Sequence, residues 1–235
     1  MNEVRDIIAG VVGAADVDAI IADNADIKLL KTKIHSWLSR AGGKAVVCFE
    51  HNGEQYQTNL RGTHQAANCI YALEIIARLR SGGANISRER VEAALMNVPL
   101  DGRFETICPR PFIVFDTVQS EADMRNFIGT VDDYFGRQMK RQMRTADNLH
   151  PDSFKRLIIA DVFFAPLIKI KQNVQIIFTS DALQAAYLAA YNGVVKTSVM
   201  PIDRAVAYAK KTFPDHKIFI IGGRELYNKV KNSLR

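Results

Sequence analysis

The stretch Phe112-Ile113-Val114-Phe115-Asp116 is a short, continuous run of β-branched and aromatic residues that ends in a carboxylate. Three later runs, 156–160, 174–178 and 217–221, have the same character. Plausible helices lie between these runs, such as those over 121–135, 181–191 and 202–212. Continuous apolar strands that alternate with helices are typical of a mainly parallel sheet covered on both faces. We therefore predict an α/β fold for this part of the chain, beginning near residue 108.

The N-terminal part predicts a smaller α/β unit. Residues 16–22 form a short apolar run that predicts a buried strand, and residues 27–38 carry apolar residues near helical spacing. Residues 45–49 and 55–60 flank an Asn52-Gly53 turn, which is typical of a β-hairpin.

Two further helices are predicted before the boundary. Residues 65–79 are apolar over much of a helical surface, and the Ser81-Gly82-Gly83 sequence ends that pattern. Ser87 is the expected N-cap of the next helix, which runs to Met96.

Composition narrows the class of protein. The chain has 235 residues, of which 48% are hydrophobic, so it can bury one large core or two small ones. Its three cysteines are odd in number and far apart, which argues against a disulfide framework or a Cys-x-x-Cys metal site and favours a reducing compartment. The N-terminal sequence has neither a signal-peptide pattern nor the ~18 apolar residues of a membrane span, so we expect a cytoplasmic protein without membrane contact.

The chain is mildly basic, with a net charge of +6 and a pI near 9.2. A solvated basic surface is the simpler explanation, and nucleotide phosphates suffice as an acidic partner, so nucleic acid is not the expected ligand. Residues 137–144 form a basic run with two methionines, which we interpret as a solvated helix face or a mobile loop.

Polar residues at two places form a candidate binding set. The first is Leu60-Arg61-Gly62-Thr63-His64-Gln65-Ala66-Ala67-Asn68, and the second is Gly102-Arg103-Phe104-Glu105 followed by the strand that ends in Asp116. Arginine binds phosphate oxygens in a bidentate manner, and an amide side chain can pair with an adenine edge. A carboxylate at the end of a parallel strand lies where such sheets bind ligands. These residue types are therefore chemically compatible with a nucleotide ligand.

These motifs, over roughly residues 60–235, resemble the second half of a Mur-ligase-family enzyme, and the His-Gln pair resembles folylpolyglutamate synthase in particular. The resemblance implies that residues 1–107 are part of a central domain. It also implies that 108–235 are a Rossmann-like C-terminal domain with about six strands in a doubly wound sheet. Such enzymes join an amino acid to a carboxylate through an acyl phosphate, so ATP with Mg²⁺ is the implied cofactor, and a small carboxylate and glutamate are the implied substrates.

The resemblance also assigns site residues. It implies that His64, Gln65 and Asn68 lie near the adenine and the active site, that Arg103 reaches the phosphates, and that Asp116 meets the ribose or phosphate region. Gln119 and Ser120 stand where the family has His-Asn, and they complete the implied nucleotide-binding set.

The sequence also departs from the family pattern. Thr117-Val118-Gln119-Ser120 replaces the family's Gly-Ala-His-Asn, and the last two side chains can hydrogen-bond but cannot transfer protons at neutral pH. Residues 156–172 are largely apolar, with Asp161 as their only carboxylate, where the family has an Asp-Lys-Asp run. Gly222-Gly223 replaces a Thr-Gly-Ser turn. Catalytic residues therefore stay unassigned.

A phosphate-cradling loop is also missing from the sequence. Gly42-Gly43-Lys44-Ala45 lacks the first glycine and the hydroxyl of a Walker A motif, and it precedes a predicted strand. ATP-dependent ligation by this chain alone is therefore not expected. Two hypotheses follow: a truncated or degenerate ligase domain that needs a separate P-loop ATPase domain as partner, or a non-catalytic binding or assembly module, which is a pseudoenzyme subunit.

Three of the site residues also have structural explanations. His64 can be a boundary residue at the start of a helix, and Arg103 can pair with Asp101 or Glu105. Asp116 can cap the helix predicted to begin near Glu121.

Overall fold

The computed structural model describes residues 2–13, 16–25, 36–41, 44–133, 155–170, 174–193 and 195–233. They belong to two compact units, Met1–Leu100 and Asp101–Arg235, and each unit is described by itself. The basic run at 137–144 lies outside the described residues. No helix in the described ranges is both long enough and apolar enough to cross a membrane.

The first unit combines helices with a small antiparallel sheet. Its helices are α1 (Asn2–Val12), α2 (Val17–Asp23), α3 (Gln65–Ser81) and α4 (Arg88–Met96), and its strands are β1 (Ser36–Ala41), β2 (Lys44–His51) and β3 (Glu54–Thr58), in the order β1-β2-β3. The core consists mainly of apolar residues of α1, α3 and α4, with Phe49 of β2 packed among them. Burial of each such side chain contributes about 1.5–3 kcal/mol.

The hairpin and the cap of α4 are confirmed. Asn52 and Gly53 join β2 to β3 with φ angles of 51° and 75°, the left-handed pair that a two-residue hairpin turn requires. Ser87 accepts a hydrogen bond from the Arg90 N–H at 3.2 Å, as an N-cap does.

The strand predicted over 16–22 is wrong, because residues 17–22 lie in α2. Val17 is buried in the core of the first unit, and Ile20 and Ile21 pack against that core, which gives helical i, i+3, i+4 spacing. A short apolar run alone does not distinguish a buried strand from a buried helix. The end of the helix predicted over 27–38 is also wrong, because 36–38 belong to β1 and pair with β2; residues 26–35 lie outside the described residues.

The second unit contains a six-stranded sheet. Its strands are β4 (Glu105–Pro109), β5 (Phe112–Thr117), β6 (Arg156–Ala160), β7 (Val174–Phe178), β8 (Lys196–Val199) and β9 (Lys217–Gly222). The order is β4-β5-β9-β6-β7-β8, with β4 antiparallel at one edge and the other five strands parallel. The predicted mainly parallel sheet is therefore confirmed, with the four runs predicted from the sequence as neighbouring strands.

Helices cover both faces of this sheet. They are α5 (Glu121–Val131), α6 (Asp181–Ala190), α7 (Ile202–Thr212) and α8 (Arg224–Ser233), and Ala165–Lys169 form a 3₁₀-helix. Along β9, Phe219 and Ile221 face the core formed with α5 and α6, whereas Ile218 and Ile220 face the core formed with α7 and α8. Because successive strand residues point to opposite faces, a continuous apolar strand requires cover on both sides.

Candidate functional site

The carboxyl edge of the parallel sheet has a switch point around β9, which lies between β5 and β6. Helix α5, which follows β5, covers one face of the sheet, and α8, which follows β9, covers the other. In open parallel sheets, ligands bind outside the carboxyl ends of strands at such a point. Asp116 and Thr117 end β5, Gly222 ends β9, and Asp161 directly follows β6, so the sequence supplies polar groups at this edge.

A tight turn over residues 101–105 is anchored to the end of β5. Gly102 and Phe104 both have left-handed backbones, with φ angles of 68° and 47°. The Phe104 N–H donates to Asp116 Oδ1 at 2.9 Å, and the Thr117 N–H donates to the Gly102 carbonyl at 2.8 Å. Asp116 therefore stabilises this turn.

The cap of α5 is a different residue from the Asp116 considered in the sequence. Ser120 Oγ accepts from the Asp123 N–H at 3.1 Å, and Asp123 Oδ2 accepts from the Gln119 N–H at 3.1 Å. The first bond satisfies an N–H group that the first turn of a helix leaves without an intrahelical partner, and the second fixes the residue before the N-cap. The Ser120 hydroxyl thus has a structural role, whereas Gln119 is exposed.

Arg103 lies in the chain between the two left-handed residues of the turn and is partly exposed. The pKa of the neighbouring Asp101 carboxyl is lowered, first by hydrogen bonds from Lys231 and Tyr227 and to a smaller extent by the positive charge of Arg103. The two carboxylates next to Arg103 in sequence, Asp101 and Glu105, are thus both engaged by α8.

The residues of α8 that hold these carboxylates are Tyr227 and Lys231. The Tyr227 hydroxyl lies 3.0 Å from Asp101 Oδ1 and 2.8 Å from Glu105 Oε2, so its single proton donates to one of them at a time. Lys231 Nζ lies 2.8 Å from Asp101 Oδ1 and also donates to the Tyr227 hydroxyl. Burial raises the pKa of Tyr227 to about 12, and the hydrogen bond to Asp101 is the largest cause that raises the pKa of Lys231.

In the first unit, the three predicted site residues lie at the start of α3. Gln65 is buried, and its Oε1 accepts from Asn68 Nδ2 at 2.8 Å, which fixes both amides. His64 immediately precedes the helix with a helical backbone, and its side chain makes no capping hydrogen bond. His64 and Asn68 are partly exposed. Gln65 can therefore orient Asn68, but it is itself largely removed from solvent.

Asp161 is a further polar residue at this edge of the sheet, and the sequence-based set omits it. Its Oδ1 is buried without a hydrogen-bond partner, and a Cβ built on Gly222 would lie 1.9 Å from that oxygen. Burial raises the pKa of Asp161, an effect that the backbone N–H of Gly223 opposes. The sequence signal that could have identified Asp161 is its position directly after β6, as the only carboxylate of the apolar stretch 156–172. Glycine at 222 is required because the carboxyl group occupies the space of a side chain.

In the described part of the chain, no group of three or more His, Cys, Asp or Glu side chains is placed to hold a metal ion.

Comparison with solved structures identifies the fold. The apo form of the Lactobacillus casei folylpolyglutamate synthase has a TM-score of 0.61, 17% identity, and coverage of 94% of this chain and 50% of that chain. The Mycobacterium tuberculosis folylpolyglutamate synthase complexed with ADP and AMPPCP has a TM-score of 0.60, 17% identity, and coverage of 95% and 53%. A type C pseudomurein peptide ligase from Methanothermus fervidus has a TM-score of 0.55, 13% identity, and coverage of 80% and 39%.

This chain therefore has a folylpolyglutamate-synthase-like and Mur-ligase-like fold, and it spans about half the length of the synthases that it matches. No family model and no curated protein sequence matches it.

Proposed function

We propose that this chain is a truncated or degenerate domain of a folylpolyglutamate-synthase-like, ATP-dependent amino-acid ligase, and that it contributes part of the nucleotide site. The observation that carries the proposal is the position of Arg103, in a turn that Asp116 anchors at the carboxyl edge of a parallel sheet. The fold supports it, and so does the presence of ADP and AMPPCP in a synthase of similar fold.

In this proposal Arg103 binds the phosphates. Its guanidinium is permanently charged and matches two phosphate oxygens, and a rigid backbone reduces the entropy that binding costs. Asp116 accepts a ribose hydroxyl in addition to the Phe104 N–H, because a carboxylate has about four acceptor positions. Gln119 adds an exposed amide, whereas Ser120 sets the start of α5.

We propose separately that residues of the first unit recognise an adenine. Asn68 presents its amide to the base, and Gln65 fixes that amide through their hydrogen bond. His64 is placed beside them, at the start of α3. An amide can pair with the donor and acceptor of an adenine edge.

Ligation needs groups that this sequence does not contain. A P-loop ATPase domain is proposed as the partner that holds the nucleoside triphosphate together with Mg²⁺. The Mg²⁺ ion would neutralise charge during phosphoryl transfer. The implied substrates are a small carboxylate and glutamate. The residues of this chain bind and orient the nucleotide, and none of them is assigned a proton-transfer step.

The alternative is a non-catalytic binding or assembly module. Its specific support is the α5 N-terminus, where the Ser120 hydroxyl accepts from the Asp123 N–H and the Asp123 carboxylate accepts from the Gln119 N–H. This segment replaces the family's His-Asn and serves a structural purpose here.

Calorimetric titration with ADP and with Mg·ATP tests the proposal. We expect heat of binding from the unmodified chain and at least about tenfold weaker binding for Arg103→Ala, which corresponds to about 1.4 kcal/mol or more for a charge-assisted bond. Arg125→Ala is the matched control, because Arg125 is an exposed arginine of the same unit that pairs with Glu121. Absence of heat at millimolar nucleotide would exclude nucleotide binding by this chain and favour the module.

A further inference from the structure

We propose that Tyr227 and Lys231 of α8 are positioning residues for Arg103: they hold the 101–105 turn in the backbone conformation from which the Arg103 side chain extends. The inference rests on the proposed function for the role of Arg103 as a phosphate ligand. It adds two residues that would act on the nucleotide site without touching the nucleotide.

The first argument is the geometry of the clamp. Tyr227 and Lys231 lie one helical turn apart on α8, and together they bind the residues at both ends of the turn. The Tyr227 hydroxyl bridges Asp101 and Glu105 at 3.0 and 2.8 Å, and Lys231 Nζ bridges the same carboxylates at 2.8 and 3.5 Å. The Tyr227 ring packs edge-on against the ring of Phe115 in β5, with the ring centroids 5.2 Å apart. The clamp, which consists of Tyr227 and Lys231, is therefore fixed to the sheet.

The second argument is that the turn requires external support. Phe104 has a left-handed backbone, which is unfavourable for a residue with a Cβ, and its side chain is buried against Phe127 and Phe219. Such conformations persist where the surrounding structure determines them, and they concentrate at functional sites. Glu105 supplies a further constraint, because its Oε2 accepts from the Gly102 N–H at 2.9 Å.

The third argument concerns charge. Asp101 and Glu105 flank Arg103 in sequence and carry the charge that attracts a guanidinium most strongly. Lys231 supplies a cation to both carboxylates, and Tyr227 supplies a hydroxyl. The positive charge of Lys231 makes the electrostatic potential around Arg103 less negative. A less negative potential favours the binding of a phosphate there.

The test combines Tyr227→Phe and Lys231→Met with the matched control Lys229→Met. Tyr227→Phe keeps the ring on Phe115 and removes only the hydroxyl bridge. Lys229 is an exposed lysine of the same helix that pairs with Glu225. The readouts are amide hydrogen exchange of residues 101–105, the NMR signal of the Arg103 Nε–H group, and the affinity for ADP.

We expect Tyr227→Phe and Lys231→Met to accelerate exchange in the turn, to broaden or shift the Arg103 Nε–H signal, and to weaken ADP binding about five- to tenfold, with no such changes for Lys229→Met. In an Arg103→Ala background the same two substitutions should leave ADP affinity unchanged, because their effect passes through Arg103. An equal loss of affinity in both backgrounds would overturn the inference.

Failure of the proposed function gives a different pattern. If the unmodified chain does not bind ADP, the proposed function fails, and the exchange and Nε–H measurements still decide whether the clamp orders Arg103. If ADP binds but both clamp variants retain normal exchange, a normal Nε–H signal and normal affinity, the positioning inference is wrong and the proposed function stands.

Discussion

Replacing Asp116 by alanine should destabilise the second unit, because it removes the acceptor for the Phe104 N–H. That bond is 2.9 Å long and has a carboxylate acceptor in a partly buried position, so its loss costs about 1.5–3 kcal/mol. Phe104 has a left-handed backbone, which costs about 1–2 kcal/mol for a residue with a Cβ, and its N–H would lose the bond to Asp116. The buried ring of Phe104 opposes relaxation of the backbone, since it packs on Phe127 and Phe219. We therefore expect a loss of about 2 kcal/mol in the free energy of unfolding.

Asp116→Asn is the matched control, because an amide oxygen can keep the bond while the charge is lost. We expect about half the effect of the alanine variant, since charge-assisted hydrogen bonds are roughly twice as strong as neutral ones. Urea unfolding followed by circular dichroism measures the free energy, and hydrogen exchange of the β5 amides assigns it to the second unit. A loss below about 0.5 kcal/mol for alanine, or equal losses for both variants, would refute the reasoning.

Three further predictions follow from individual contacts. Gly102→Ala should lower the free energy of unfolding by about 1–3 kcal/mol, because φ is 68° and the new Cβ would lie 2.9 Å from Thr117 Oγ1. Gly129→Ala in α5, where nothing lies within 4 Å of the new Cβ, should raise the free energy of unfolding by about 0.5–1 kcal/mol. Thermal unfolding compares the two variants. Asp161→Asn should raise the melting temperature at pH 7 but not below the pKa of an unfolded aspartate, about 3.9. The reason is that the pKa of the folded carboxyl is raised, so the protein loses stability as the pH rises through that folded pKa. A difference in melting temperature that does not change between these pH values would contradict this. Burial raises the pKa of Cys69 to about 12, so Cys69 should react with a thiol reagent only when the protein unfolds. The partly exposed Cys108 should react first. Equal reaction rates of the two thiols in the native protein would be inconsistent with the structure.

The sheet of the second unit could be predicted because its strands carry an unambiguous signal. Ile218 to Ile221 alternate between two cores, so every position must be apolar, and this pattern excludes a half-exposed strand. The edge strands β4 and β8 were not predicted, because Glu105–Pro109 and Lys196–Val199 mix polar and apolar residues. Strand β4 also has a register shift against β5 between Thr106 and Cys108.

The secondary structure of the first unit was harder to predict, because its sequence patterns are local and short. Val17, Ile20 and Ile21 fit a strand and a helix equally well, and only packing against the rest of the core decides for α2. By contrast, the Asn52-Gly53 turn was predicted correctly because its backbone requirement is specific to few residues.

The candidate site depended on contacts that join distant parts of the sequence. Spacing placed Asp116 at a strand end, but it could not show that Oδ1 binds the Phe104 N–H. Nor could it show that Tyr227 and Lys231 reach back to Asp101, because these residues meet only after β9 has inserted beside β5. The nucleotide-binding roles of the seven residues stay predictions.

Titration of the ¹⁵N-labelled chain with ADP, followed by two-dimensional NMR, tests the central claim most directly. The proposal predicts that the amide signals of Arg103, Phe104 and Gln119 in the second unit shift and saturate with one dissociation constant. The signals of residues 64–68 test the adenine proposal for the first unit separately. The Arg125 amide signal, from the exposed face of α5, should change little. Signals that stay unchanged up to millimolar ADP, or that change only at other positions, would contradict the claim.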